Sequence, residues 1–188
     1  MNLELNKTSW FSTDVFSTVL DKVYCDEINS IVEKDQDQWK TNLQNIKAKT
    51  SGWNGLRYPI VKEVADFACN KLLPTIGETK KWKFNNWVTA EAWINFYQKG
   101  DVAKLHQHFF SDYCGIFITK TSASTLKFVT PLSMHGYYKE KFETQNYGEL
   151  IKEREGLFIL FPSYLLHEVS ECQSDRISVA FNFMNKND

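Results

Sequence analysis

Two of the four histidines in the chain stand one residue apart, as His106-Gln107-His108. Alternate residues of a strand face the same side, so a strand through this segment would aim both imidazoles at one point. A converging imidazole pair is a common beginning of a transition-metal site. The plainer reading is an exposed strand that binds nothing. A third histidine, His167, follows Phe161-Pro162-Ser163-Tyr164-Leu165-Leu166 and opens another strand-like run. Beyond it lies Arg176-Ile177-Ser178-Val179-Ala180-Phe181-Asn182-Phe183. In a strand, Arg176, Ser178, Ala180 and Asn182 share one face, and Ile177, Val179, Phe181 and Phe183 share the other. The bulky face is expected to pack on helices and the small, polar face to line a cavity. An inward arginine needs an anionic partner, because an unpaired buried charge is very costly. A ligand carboxylate held by both arms of the guanidinium, with Ser178 adding a hydrogen bond, would supply one. A structural Asp or Glu would serve as well, and an arginine at a strand end could instead sit in solvent.

These side chains need a rigid frame. The pattern predicts a helix over Val15–Val32, where Phe16, Val19, Leu20, Val23, Ile28, Ile31 and Val32 fall at helical spacing. The polar stretch Glu33–Gln44 would continue or fray it. Turn signals fill Asn45–Tyr58, which also carries Trp53 in a polar setting. A second helix is predicted from Pro59, with Val61, Val64, Ala65, Ala68 and Leu72 as its apolar stripe and Pro74 and Gly77 closing it. From Lys81 onward the pattern changes to strands: Trp87–Tyr97, Lys104–His108, Tyr113–Lys120, Thr125–Val129, Leu157–Phe161, Leu165–Val169 and Arg176–Phe183. Short strands separated by turns point to a sandwich or barrel. The polar, Tyr-rich stretch Pro131–Glu155, which holds His135, reads as a surface hairpin or lid. One domain over 1–188 is expected, with residues 1–80 as helical support and 81–188 as the β core.

Composition narrows the function classes. With 22 Lys and Arg against 23 Asp and Glu, the net charge of -1 argues against duplex nucleic acid as a partner. A chain of 188 residues can bury roughly 70% of its unfolded surface and needs no disulfide staples. The longest apolar runs fall far short of the roughly 20 residues of a membrane span. Cys25, Cys69, Cys114 and Cys172 are widely spaced and form no C-x-x-C pair. The opening MNLELNKTSWF lacks the basic-then-apolar pattern of an export signal, so reduced thiols and a cytoplasmic location are expected.

The order of these pieces resembles a known family. An H-x-H, a distal histidine in F-P-S-x-L-x-H, and an R-x-S shortly after it resemble the iron(II)- and 2-oxoglutarate-dependent oxygenases. Trp93-Ile94-Asn95-Phe96-Tyr97 and Gly100-Asp101 ahead of His106-x-His108 look like the form found in phage and bacterial genomes. The resemblance runs from about Trp87 to Phe183. It implies a mainly β fold with N-terminal helices, a double-stranded β-helix of the jelly-roll or cupin-like kind. It implies iron(II) held by His106 and His167, with His108 standing where the family has a carboxylate. It also implies 2-oxoglutarate as cosubstrate, its distal carboxylate on Arg176 and Ser178. Tyr113, Asn95, Tyr97 and Asn182 are further candidates for contact with the cosubstrate or for support around it. The implied reaction is hydroxylation of a C–H bond with release of succinate and carbon dioxide, in the host cytoplasm if the chain is phage-encoded.

His108 is the departure from the family pattern. It can be a true third ligand, Asp112 or Asp101 can supply the carboxylate, or the site can hold another metal such as zinc. Three histidines also suit a cupin-like dioxygenase that works without 2-oxoglutarate. A third reading is a β-helix binding module that has lost turnover. The substrate is expected to be a small molecule, a peptide or a protein. Trp53 is a candidate wall of the substrate entrance.

Overall fold

Alternation of bulky with small or polar residues recurs through the second half of the chain, and the structure turns it into strands. The computed structural model describes residues 13–42, 45–83, 85–122, 124, 126–129 and 153–186. Its elements run β1 (Phe16–Val19), α1 (Lys22–Asp35), β2 (Lys40–Asn42), β3 (Ile46–Thr50), α2 (Pro59–Phe67), α3 (Leu73–Lys80), β4 (Trp87–Tyr97), β5 (Val102–His106), β6 (Tyr113–Lys120), β7 (Leu126–Val129), β8 (Leu157–Pro162), β9 (Leu166–Val169) and β10 (Arg176–Asn185).

The strands lie in the order β1-β8-β6-β10-β4-β3-β5-β9-β7, with β2 beside β3. Strand β3 is the fold line. Its Lys49 and Thr50 pair with β4, while its Ile46 and Lys47 pair with β5. There the large sheet passes into the small sheet β5-β9-β7, and the whole curls into an antiparallel half-barrel. Two apolar cores follow. One lies between helices and large sheet and joins Ile28, Val61, Val64 and Leu73 to Val179, Phe181 and Phe183. The other fills the barrel and joins Ala103, Leu126 and Val169 of the small sheet to Ile116, Ile159 and Phe161 of the large one. The bulky face of β10 therefore packs on helices, as its alternation predicts, and Arg176 and Ser178 turn inward.

The N-terminal third differs from expectation. Phe16–Val19 is a strand paired with Leu157–Leu160, and the helix begins only after the extended residue Asp21. The free edge of β8 offers backbone partners that helical spacing alone does not weigh. The polar stretch after α1 forms a short 3-10 turn at Gln36–Gln38 and then β2. Within the expected turn region lies β3, too short for its Ile46/Ala48 alternation to stand out. Pro74 does not stop the second helix. A π-helical turn at Ala68–Leu72 joins α2 to α3, and this widened turn accommodates a residue with no N–H to donate. The helix ends at Lys81, whose φ is 55°. Gly77 instead permits close packing, since a Cβ there would lie 2.8 Å from both Trp82 and Asn85. His135 and most of the expected hairpin lie outside the described residues.

Candidate metal centre

His106 closes β5, His167 sits in β9, and the register places them directly opposite one another. His108 arrives differently from the strand alternation expected of it. It lies past the end of β5, and its N–H donates to the Ser163 carbonyl at 3.0 Å. Ser163 is itself fixed, donating its N–H to Asp112 O at 3.1 Å and its hydroxyl to Ser111 O. The loop after β5 is thus stitched to the Pro162–Leu165 turn, and the stitch swings His108 back over its neighbours. Ring centroids are 4.3 Å apart for His106–His167 and 5.3 Å for the other two pairs. One nitrogen from each ring lies within 4.8 Å of the others.

Backbone carbonyls fix two tautomers. Nδ1 of His106 meets Lys104 O at 2.6 Å, and Nδ1 of His167 meets Leu165 O at 2.9 Å. A carbonyl can only accept, so both Nδ1 atoms carry the proton and both Nε2 lone pairs are available to a metal. Burial keeps the rings neutral. It lowers the pKa of His106, takes His108 down to about 4, and takes His167 down to about 3, with the neighbouring imidazoles adding to the last two. Among the described residues no carboxylate joins the cluster. Asp101 pairs with Lys47 at 3.3 Å and caps the Gln98 N–H, while Asp112 accepts from the Asn185 N–H.

The three rings line one cavity with Trp93, Asn95, Tyr97, Arg176 and Ser178. Arg176 is 1% exposed, and its Nη1 donates to Ser178 Oγ at 3.0 Å. Its anionic partner within the chain is Glu153, which takes Nε at 3.1 Å and Nη2 at 3.0 Å. The guanidinium also lies 5.2 Å from the Tyr97 ring centre. Burial pushes the Tyr97 hydroxyl up to about 12, so it stays a neutral phenol. Asn95 is buried, and among the described residues its Oδ1 has no hydrogen-bond partner. That open acceptor suits a donor from water or from a bound group.

Two candidates sit elsewhere. Tyr113 packs in the helix-side core against Trp82 and Trp87, at ring distances of 5.2 and 5.8 Å, away from the cavity. Its strand β6 is buried on both faces, so alternation could not say which face was which. Asn182 donates from Nδ2 to Glu91 at 2.8 Å and accepts from the Cys114 thiol on Oδ1 at 3.5 Å. Sequence reasoning missed Glu91 and Glu153. Glu91 shares a strand face with Trp93, Asn95 and Tyr97, which was a usable signal; Glu153 had none. All four cysteines are buried and unpaired.

Residues 91–182 match the family described as "Putative 2OG-Fe(II) oxygenase". No curated protein matches the chain by sequence. Among solved structures, a prolyl-4-hydroxylase from Pseudomonas putida is similar over 94% of this chain and 95% of its own, with a TM-score of 0.69 and 10% identity. A viral collagen prolyl hydroxylase from Paramecium bursaria Chlorella virus-1, in complex with 2OG, is similar over 90% of this chain and 94% of its own, with a TM-score of 0.60 and 13% identity. HygX from Streptomyces hygroscopicus, with nickel and 2-oxoglutarate bound, is similar over 93% of this chain and 84% of its own, with a TM-score of 0.62 and 13% identity. At these identities the structures speak for the fold, a double-stranded β-helix, and the family match speaks for the chemistry. That match spans His106, His108, His167 and Arg176, the four residues that line one cavity of this fold: over residues 91–182 the chain is similar to the 2OG-Fe(II) oxygenases.

Proposed function

We propose that the chain hydroxylates a C–H bond, with His106, His108 and His167 as the iron ligands and Arg176 and Ser178 as the seat of the distal carboxylate of 2-oxoglutarate. The observation that carries this reading is the convergence of three neutral imidazoles within 4.8 Å, in one cavity with a buried arginine. The donor set fits iron(II), since imidazole suits that ion and both Nε2 lone pairs are already exposed to it. The orphaned Asn95 Oδ1 fits a cavity built to hold a polar guest. When bound, iron(II) with 2-oxoglutarate and oxygen supplies the oxidising power, one oxygen atom going to the substrate and the other to succinate as carbon dioxide leaves.

The chain's own residues orient and exclude. The Lys104 and Leu165 carbonyls hold two imidazoles at fixed rotation. Trp93 stacks over His108 at 5.9 Å and 20° and shields that side from water. The other side of Trp93 faces a cleft shared with Trp39, Trp53, Arg57 and Tyr58, and Trp53 meets Trp93 edge-on at 4.6 Å. This aromatic cleft with polar rims supports a peptide side chain or a small ring-bearing molecule as substrate, and so do the names of the prolyl hydroxylases among the similar structures. Four buried thiols support a reducing cytoplasm, the host's if the chain is phage-encoded. No helix among the described residues is long and apolar enough to cross a membrane.

One observation favours a second reading, a three-histidine dioxygenase that needs no oxoacid: Glu153 already neutralises Arg176. An anaerobic titration separates the two. Iron(II) followed by 2-oxoglutarate is expected to give the visible charge-transfer band of the chelate, and Arg176→Ala is expected to weaken it. Iron binding without the band favours the second reading. No iron binding overturns both.

A further inference from the structure

Trp93 divides the metal centre from a second cavity. Its ring stacks on His108 on one side and lines the cleft of Trp39, Trp53 and Tyr58 on the other. That cleft has a volume of about 560 Å³. The volume suits a small molecule, whereas an extended peptide needs a longer trough. The segment that carries Trp53 is held firmly against β4. Ser51 donates its N–H to Ile94 O and accepts the Ile94 N–H on Oγ, both at 3.0 Å. Gly55 lies so close that a Cβ there would stand 2.6 Å from the Ala92 carbonyl oxygen. The cleft is therefore formed before any guest arrives.

Its polar groups are unbalanced toward donors. Trp39 is 9% exposed, and its Nε1, which can only donate, has no acceptor among the described residues. Arg57 meets neutral groups alone. Its Nη1 donates to Ser51 O at 3.0 Å and to Asn54 O at 3.5 Å, and its Nη2 donates to the Tyr58 hydroxyl at 2.9 Å. No carboxylate among the described residues pairs with Arg57 or with the Lys40 ammonium, which also lines the cleft. Asp35, the carboxylate of the lining, already accepts from the Tyr58 hydroxyl at 2.9 Å. Lys40 and Arg57 against Asp35 leave one positive charge in excess. A cationic guest would meet that excess, and the Tyr58 ring already carries the Arg57 guanidinium at 4.6 Å. A guest that brings an oxyanion answers the surplus donors, and a flat ring on that guest answers the indole walls.

We propose that this cleft is the anchor subsite for the primary substrate and takes a small, ring-bearing anion, its ring against Trp53 and its carboxylate or phosphate toward Lys40 and Arg57. The inference rests on the oxygenase reading. Trp93 stands between the cleft and His108, so the anchored ring is the remote end of the substrate and the reacting carbon lies at the other end. Binding at such a remote end holds the reacting end in place.

Calorimetry on the full chain without metal tests the anchor. Indoleacetate is set against its neutral counterpart indoleacetamide, and thymidine monophosphate against thymidine, so that the two pairs separate carboxylate from phosphate. At least one anion is expected to bind about 10-fold more tightly than its neutral partner. Lys40→Glu is expected to cut that preference about 5-fold. Trp53→Ala is expected to weaken anion and neutral partner alike, by about 3- to 10-fold. Both side chains are exposed, so neither change threatens the fold. Equal binding of anion and neutral partner, or an unchanged preference in Lys40→Glu, overturns the proposal. So does displacement of the anion by succinate, a ringless dicarboxylate, which would place it at Arg176. Capped tetraproline binding more tightly than either anion would overturn it in favour of a peptide. The iron(II) titration of the wild type separates the two readings: the 2-oxoglutarate band without anion binding overturns the anchor alone, and anion binding without the band upholds the cleft's selectivity while overturning the oxygenase reading.

Discussion

Neutral imidazoles make a good ligand set and an acid-sensitive one. The folded His108 and His167 hold their pKa values down at about 4 and about 3, mainly through burial. In the unfolded chain both return to roughly 6.5. Below that value the unfolded state takes up protons that the folded state refuses, so acid favours unfolding. The stability held above pH 6.5 is therefore lost as the pH falls toward 4, at about 1.4 kcal/mol per pH unit for each ring. Denaturant unfolding of the metal-free protein at pH 7 and pH 5 is expected to show a loss of a few kcal/mol at the lower pH. Replacing His167 by Gln should flatten part of that slope. A stability that does not change between the two pH values would mean that the rings are solvated and not held neutral by burial.

At the scale of elements, one carboxylate ties the two sheets together beside the site. Glu153 Oε1 accepts from the Leu126 N–H at the start of β7 and from Arg176 Nη2 at the start of β10, both at 3.0 Å. Removing one partner of a buried pair costs about 3–5 kcal/mol, because the remaining charge is left uncompensated. Glu153→Gln is expected to lower the melting temperature of the apo-protein. It should also enlarge the stabilisation that added 2-oxoglutarate gives, since the ligand then supplies the missing charge. An equal ligand-induced shift in variant and wild type would show that Glu153 and the cosubstrate do not meet the same guanidinium. Glu153 also marks where the sequence stops being legible. The inward face of β10 could be read because its alternation persists from Arg176 to Phe183, and the histidines because their residue type is rare and their spacing tight. Tyr113 could not be placed, since β6 is buried on both faces. Strands β1 to β3 are too short to carry a period, and β1 mimics a helical one. The Glu91–Asn182 and Glu153–Arg176 pairs depend on contacts across many residues of chain, which no local pattern encodes.

For the molecule as a whole, the half-barrel separates two tasks: the helix-side core braces the large sheet, and the interior core braces the candidate metal site. Strand β8 serves both. Phe158 points to the helix side, where it packs against Phe117 and Phe181 at 6.1 and 5.6 Å. Phe161 points inward, with its ring 4.9 Å from both Phe128 and His167. Both phenylalanines are fully buried in the same strand. Exchanging either for Leu removes similar apolar contact and is expected to cost about 1–3 kcal/mol. Their effects on the site should differ. Phe161→Leu withdraws the wall that keeps the His167 ring in place, so its metal affinity should fall, whereas Phe158→Leu should lose stability with the affinity unchanged. Unfolding midpoints and cobalt(II) dissociation constants measured on both variants test this. A Phe158→Leu protein that weakens metal binding as much as Phe161→Leu would show that the two cores move as one body, with the helices reaching the site through the large sheet.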